Sequence, residues 1–424
     1  MTSEFRCYVF AYLHDETQAV PAGDLFLVEE SVRVLASTFG YGRRYLQRPN
    51  AIPIDPVSLP HRGAVSGDQR RMEPRNGLTM FGAVRDAMPD AWGRRVIENR
   101  LQAPANSLPE STYMLHAGSN RFGALDFRVA LSDKESEGLL VPATELQYLL
   151  DAADRVQRGE PVPPALQKLF DAGPSMGGAR PKAVVVRDKQ QLIAKFPALG
   201  DPFDIPVVER ATLELARECG LRVPATDVVS LPDGRRVMLI ERFDRTSLHE
   251  GWARLPVVSA LTLLSLDESE SRTASYQDIA LAMNEHGASG HVAEDRAELF
   301  ARMVFNILVS NDDDHLRNHA FTWDAAQAGW RLSPLYDVVP KPQVALERYL
   351  HLGVGPRGRL ATLDNALAAA PMFGLNSPKA KSIIGRIATV VREWRTYFEG
   401  YGVEIGECDK VQSAFRRPRE IGWN

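Results

Sequence analysis

The chain has 424 residues, 44% hydrophobic and 25% charged, and a formal net charge of -4 from 50 Lys+Arg against 54 Asp+Glu. This is ordinary globular usage with material for two or three domains. It argues against a chain that grips nucleic acid through a strong overall positive field, though a local patch or a basic partner fits. Cys7, Cys219 and Cys408 are odd in number and far apart, so neither a disulfide framework nor a CxxC metal site is indicated, and a reducing cytoplasm is expected. The stretch Met1 to Tyr12 carries Glu4 and Arg6 and lacks a long apolar core, so it does not read as a signal peptide. No apolar run approaches the ~20 residues needed to span a bilayer.

In chain order, the first stretch predicts short strands at Cys7 to Leu13, Asp24 to Val28 and Val32 to Leu35. Residues 47 to 78, rich in Pro, Arg and Gly, read mostly as loop. Phe81, Val84, Met88, Trp92 and Val96 recur near helical spacing and predict a helix in pieces from Thr79 to Leu101, interrupted at Pro89. Leu146, Leu149, Leu150, Ala153 and Val156 mark another helix, ending near Gly159.

The middle predicts a hairpin, Ala183 to Val186 and Leu192 to Phe196, across Arg187-Asp188-Lys189-Gln190. A helix from Val207 to Cys219 follows, ended by Gly220. Strands Thr226 to Leu231 and Val237 to Glu241 are then joined by Pro232-Asp233-Gly234-Arg235, where proline fixes one dihedral and glycine supplies the positive one. Strand, strand, helix, strand, strand is the order of a kinase small lobe.

After about residue 246 the pattern turns helical. Ser275 with Asp278 resembles a capping box. Glu298 to Val309 is strongly apolar and helical and delivers the chain into Asn311-Asp312-Asp313-Asp314-His315-Leu316-Arg317-Asn318. Phe321 to Trp323 and Gly329 to Leu332 predict a small hairpin before Asp337. Ser377-Pro378 starts a long C-terminal helix, and Arg416-Arg417-Pro418-Arg419 reads as a solvated tail.

Three side chains carry the chemical argument. Asp313, Asn318 five positions on, and Asp337 after a hairpin have the spacing of a phosphoryl-transfer site. There, one carboxylate orients and deprotonates the acceptor hydroxyl, while an amide and a later carboxylate hold magnesium on the nucleotide phosphates. A run of aspartates is usually a solvated turn, and the spacing alone is weak. The ordered set, delivered by an apolar helix, is stronger.

Lys195 ends a strand and is either a wet edge lysine or the lysine that holds the α- and β-phosphates. The next helix offers Glu209 and Glu214 to position it, although either reads equally as an ordinary solvated helix glutamate. Gly173 to Lys182 is a glycine-rich loop whose backbone N–H groups could approach phosphate, but it matches neither Walker A nor G-x-G-x-x-G. His315 and His319, four apart, lack the H-E-x-x-H context of zinc ligands, so His315 is read as bracing the loop.

Taken together these stretches resemble the HipA-type serine/threonine kinases, toxins of a bacterial toxin–antitoxin class. The matching pieces are Phe81-Gly82, Met88-Pro89-Asp90-Ala91-Trp92-Gly93-Arg94, Arg121-Phe122-Gly123-Ala124-Leu125, Ser175 to Lys182 and Lys195-Phe196-Pro197. Glu209, Glu241-Arg242-Phe243-Asp244-Arg245, Asp313 to Asn318 and Leu335-Tyr336-Asp337 complete them, in family order.

The resemblance implies an α+β, bilobal protein-kinase-like fold. An N-terminal subdomain (1–160) would precede a β-rich small-lobe core (161–245) and a mainly helical C-terminal lobe (246–424). It implies ATP and Mg2+ as cofactors, Asp313 as catalytic base, and Asn318 and Asp337 as metal ligands. Lys195, Ser175, Gly177, Gly178 and Lys182 would hold the phosphates, and Glu241 to Phe243 the adenine. Glu209 and His315 would support the site. Ser175 stands where the family phosphorylates itself. A protein substrate and a HipB-like DNA-binding antitoxin are the expected partners, with DNA reached only through the antitoxin, no membrane and a cytoplasmic location. Asp314 stands where many relatives have glycine, adding a charge beside the base. Two other readings fit the same residues: a small-molecule or lipid kinase, and a non-catalytic antitoxin-binding corepressor.

Overall fold

The structure is a computed structural model that describes residues 2–60, 71–135, 141–163 and 178–423. Ser175 and Gly177 lie outside them. The chain forms two compact units: Met1–Leu199 with Ser230–Ser265, and Gly200–Val229 with Leu266–Asn424.

The first unit begins with an antiparallel sheet in the order Arg33–Tyr41, Ala19–Glu30, Thr2–Tyr12, Leu125–Arg128. Alternate residues Cys7 and Val9 are fully buried, as are Leu25, across from Cys7, and Leu27 on the same neighbouring strand, which fixes the register to one core-facing side. The strands run longer than the apolar alternation predicts, because pairing carries on through polar ends such as Thr2 to Glu4 against Val28 to Glu30. The short strand Leu125–Arg128 has no signal of its own and exists by pairing with Tyr8 to Ala11.

The expected broken helix appears as Gly82–Asp86 and Ala91–Leu101. Asp90 caps the second piece by accepting from Gly93 N. Trp92 and Val96 pack against Ala152, Ala153 and Val156 of the helix Leu146–Arg158, which ends on Gly159 at φ +68.

The predicted hairpin is present as Lys182–Arg187 and Gln190–Lys195, with Asp188 and Lys189 both at positive φ in the turn. Arg236–Glu241 pairs antiparallel with the second strand, and Val141–Pro142 parallel with the first.

In the second unit the helix Ile205–Glu218 starts two residues earlier than its apolar pattern suggests, capped by Asp204, and turns at Gly220 (φ +77). The capping box of Ser275 and Asp278 opens the helix Tyr276–His286. The helix Val292–Val309 is the buried axis of the unit: Leu299, Met303, Val304, Ile307 and Leu308 are fully buried. The hairpin Ala320–Asp324 with Gly329–Leu332 and the helix Ser377–Arg392 also form as predicted. The tail reading holds for the exposed Arg417 and Arg419 but not for Arg416. Its guanidinium donates to the carbonyls of Ala361 and Leu346, and its backbone N–H to Leu308 O.

Candidate active site

The helix Val292–Val309 ends on Ser310 in the left-handed region (φ 52), where the chain turns sharply into the aspartate run. Asn311 is held back to the helix by its backbone N–H and its side chain, both donating to Asn306. The next three residues are then presented from a fixed point, and they meet three different environments.

Asp312 is half-buried and paired: Lys341 Nζ lies 3.0 Å away and Gln343 Nε2 donates at 2.7 Å. Asp314 is buried. It accepts from Tyr276 OH, from Asn306 Nδ2 at 2.7 Å and from His319 Nε2 at 2.9 Å. Burial pushes the Asp314 carboxyl up, but the charge and hydrogen bond of His319 and the Tyr276 hydroxyl outweigh it and hold the group below its usual value. Asp313 alone of the three is exposed, and its carboxylate has no hydrogen-bond or ion-pair partner among the described residues. The extra charge expected beside Asp313 is thus turned inward and satisfied: Asp314 anchors the loop that Asp313 rides on.

The turn after Asp313 is closed by its own carbonyl, which accepts from His315 N at 2.9 Å and from Asn318 Nδ2 at 3.1 Å. With its amide nitrogen used this way, Asn318 keeps Oδ1 as its remaining acceptor. Asp337 sits in the left-handed region at φ +59, a conformation that costs a residue with a Cβ about 1–3 kcal/mol and persists only where the surroundings impose it. Tyr336 OH donates to Arg317 O at 2.6 Å, which ties the Asp337 segment to the residue before Asn318. Asp313, Asn318 and Asp337 therefore belong to one braced local structure. His315 stacks edge-on against His351 at 5.9 Å, and His351 in turn bonds Ser271 Oγ, close to Leu316 N.

Glu209 is 2% exposed on the helix Ile205–Glu218, so it is not a solvated helix carboxylate. Glu214 is the ordinary one, bonded by Arg217 and Thr226.

In the first unit, Lys182 and Lys195 stand directly opposite each other in the hairpin register, on one face of the sheet. Lys182 is buried and its Nζ lies 3.1 Å from Asp90 Oδ2. Burial raises the Asp90 carboxyl above its usual value against the pull of Lys182. Gly178 has φ +114, and a Cβ there would stand 2.6 Å from Lys182 Nζ.

Glu241 ends its strand opposite Leu192 and is half-buried, and Arg242 N continues the pairing to Gln191 O. Phe243 meets Phe122 edge to face at 5.6 Å. Around them Asp244 is buried between Arg242 and Arg245. It also accepts from Gly123 N, while Arg242 reaches Asn120 Oδ1 and Arg121 O. The motifs Arg121 to Leu125 and Glu241 to Arg245 thus form one ionic knot. Composition and periodicity give no hint of it, because its partners lie about 120 residues apart.

Residues 174–394 match the family described as HipA-like C-terminal domain. Over 193 residues the chain is 26% identical to a Haemophilus influenzae protein provisionally described as a kinase, covering 41% of this chain and 55% of that protein. The chain therefore spans about half the length of the curated relative it matches. Among solved structures it superposes on the Shewanella oneidensis toxin–antitoxin system of HipA, HipB and operator DNA, with a TM-score of 0.66 and 18% identity, over 98% of this chain and 95% of that one. At that identity the likeness shows the fold: an α+β, HipA-type, kinase-like architecture.

Proposed function

Because the chain belongs to the family of the HipA-like C-terminal domain, which matches more than half of it, we propose that it is an ATP- and Mg2+-dependent serine/threonine protein kinase of HipA type, the toxin of a toxin–antitoxin pair. The observation that carries this reading is the sorting of the three adjacent aspartates. Two are engaged by neighbours, and the exposed one is Asp313, five residues before Asn318.

In this reading the Asp313 carboxylate accepts the proton of an acceptor hydroxyl. The hydroxyl oxygen bonds the γ-phosphorus, the bond from that phosphorus to the bridging oxygen breaks, and ADP leaves. Asn318 Oδ1 and the Asp337 carboxylate are the hard oxygen donors that Mg2+ takes. The hydrogen bond from Asn318 Nδ2 to Asp313 O leaves that oxygen free to serve, so the residues fit the ion. When bound, Mg2+ would neutralise charge on the phosphates. Lys195, Lys182, Ser175, Gly177 and Gly178 hold phosphate oxygens. Glu241 and Phe243 contact adenine, Glu209 supports the site, and His315 braces the catalytic loop. Ser175 is the self-phosphorylation residue, where about two added negative charges would oppose nucleotide in a site built for phosphate. The protein would work in the cytoplasm with a HipB-like antitoxin, reaching DNA only through it.

The test is transfer from γ-labelled ATP to proteins of a cell lysate, read by mass spectrometry. Labelled serine or threonine supports the reading. Label found only on small molecules, or none at all with ATP bound, overturns it.

A further inference from the structure

The piece Met88 to Arg94 lies about eighty residues before the matched family region. Three contacts join it to the two ends of the segment Gly178 to Lys182. Asp90 Oδ2 pairs with Lys182 Nζ at 3.1 Å. Trp92 N donates to Gly178 O at 3.4 Å, and Trp92 Nε1 donates to Lys182 O at 3.0 Å.

The platform behind these contacts is rigid. Trp92 is 1% exposed and packed among Val96, Ala152, Ala153, Val156 and Val162. Arg94 locks the same helix by a two-pronged pairing with Glu110 at 2.7 and 2.6 Å. Asp90 divides its carboxylate: Oδ1 caps the helix at Gly93 N, and Oδ2 faces the lysine.

Charge makes the arrangement meaningful. Lys182 and Lys195 oppose each other across the hairpin, and like charges so placed repel. A buried carboxylate on Lys182 offsets that repulsion, so two ammonium groups can be held side by side before any phosphate arrives. Gly178 has no side chain where a Cβ would press on the Lys182 ammonium.

We propose that Asp90 and Trp92 are positioning residues for the phosphate-binding loop. Asp90 sets the place of the Lys182 ammonium, and Trp92 pins the backbone at Gly178 and Lys182. This rests on the kinase reading of the same loop, and it extends the nucleotide site to residues well upstream of the matched region 174–394.

Asp90→Asn separates the two tasks of the carboxylate, because asparagine caps a helix about as well as aspartate but carries no charge. In the full-length protein, Asp90→Asn should raise the KM for ATP about fivefold or more with kcat little changed, the pattern of lost ground-state binding. Asp90→Glu should recover part of the loss. Trp92→Phe, which keeps a ring but removes the N–H donor, should speed amide exchange across Lys182 to Val184. An Asp90→Asn variant that takes ATP as the parent does, or more tightly, overturns the proposal. If the parent protein neither binds nor turns over ATP, the kinase reading fails separately. Exchange in the ligand-free protein then still decides the positioning role: faster exchange at 178–184 in both variants supports it, and parent-like exchange sinks it.

Discussion

His319 Nε2 lies 2.9 Å from Asp314 Oδ2, and both side chains are buried. This pair, with Tyr276 and Asn306 around it, turns the third aspartate of the run into the protein and leaves the second facing out. The loop chemistry follows from that inward anchor. Asp314→Asn should therefore act on stability: disturbing the acceptor shared by buried donors costs about 1–3 kcal/mol. Thermal unfolding should show a clear drop in midpoint, whereas Asp312→Asn, at a half-exposed pair, should shift it little.

Asp337 tests the metal assignment. Its positive φ is tolerated by asparagine, so Asp337→Asn should fold normally. Loss of one ligand charge should weaken nucleotide binding about tenfold or more with Mg2+ present and hardly at all with EDTA. Equal losses in both conditions, measured by calorimetry, would show that Asp337 serves the fold and not the ion.

The ionic knot of the first unit sets an acid limit. Burial pushes the Asp244 carboxyl up, but Arg242 and Arg245 outweigh it and hold its pKa at about 2, below the ordinary 3.8. A depressed folded-state pKa means that the group contributes stability fully above its unfolded value and loses it as pH falls through the folded one. That contribution is about 2 kcal/mol. Denaturant midpoints should be flat with respect to this group down to about pH 4 and decline from there toward pH 2, and Asp244→Asn should blunt the decline.

Much of the fold was legible in the residues. Apolar spacing located the helix that delivers the aspartates, and the polar four-residue turn located the hairpin of Lys182–Arg187 with Gln190–Lys195. Strand lengths were not legible, because pairing to a neighbour, and not local apolarity, extends Thr2–Tyr12 and creates Leu125–Arg128. The spacing of Asp313, Asn318 and Asp337 was visible, but their register was not. Three identical side chains in a row differ only in what surrounds them, and Tyr276 and Gln343 lie 38 and 31 positions from the aspartates they bond. The Asp90 to Lys182 contact was hidden for the same reason, since 92 positions separate its partners.

In the proposed reaction Asp313, and neither neighbour, takes the proton in phosphoryl transfer. The direct measurement is single-turnover transfer from γ-labelled ATP to a protein acceptor by the parent, Asp312→Asn and Asp313→Asn at equal nucleotide occupancy. Transfer is expected from the first two, with a fall of about a hundredfold or more in the third and an unchanged unfolding midpoint. Parent-like transfer by Asp313→Asn would contradict it.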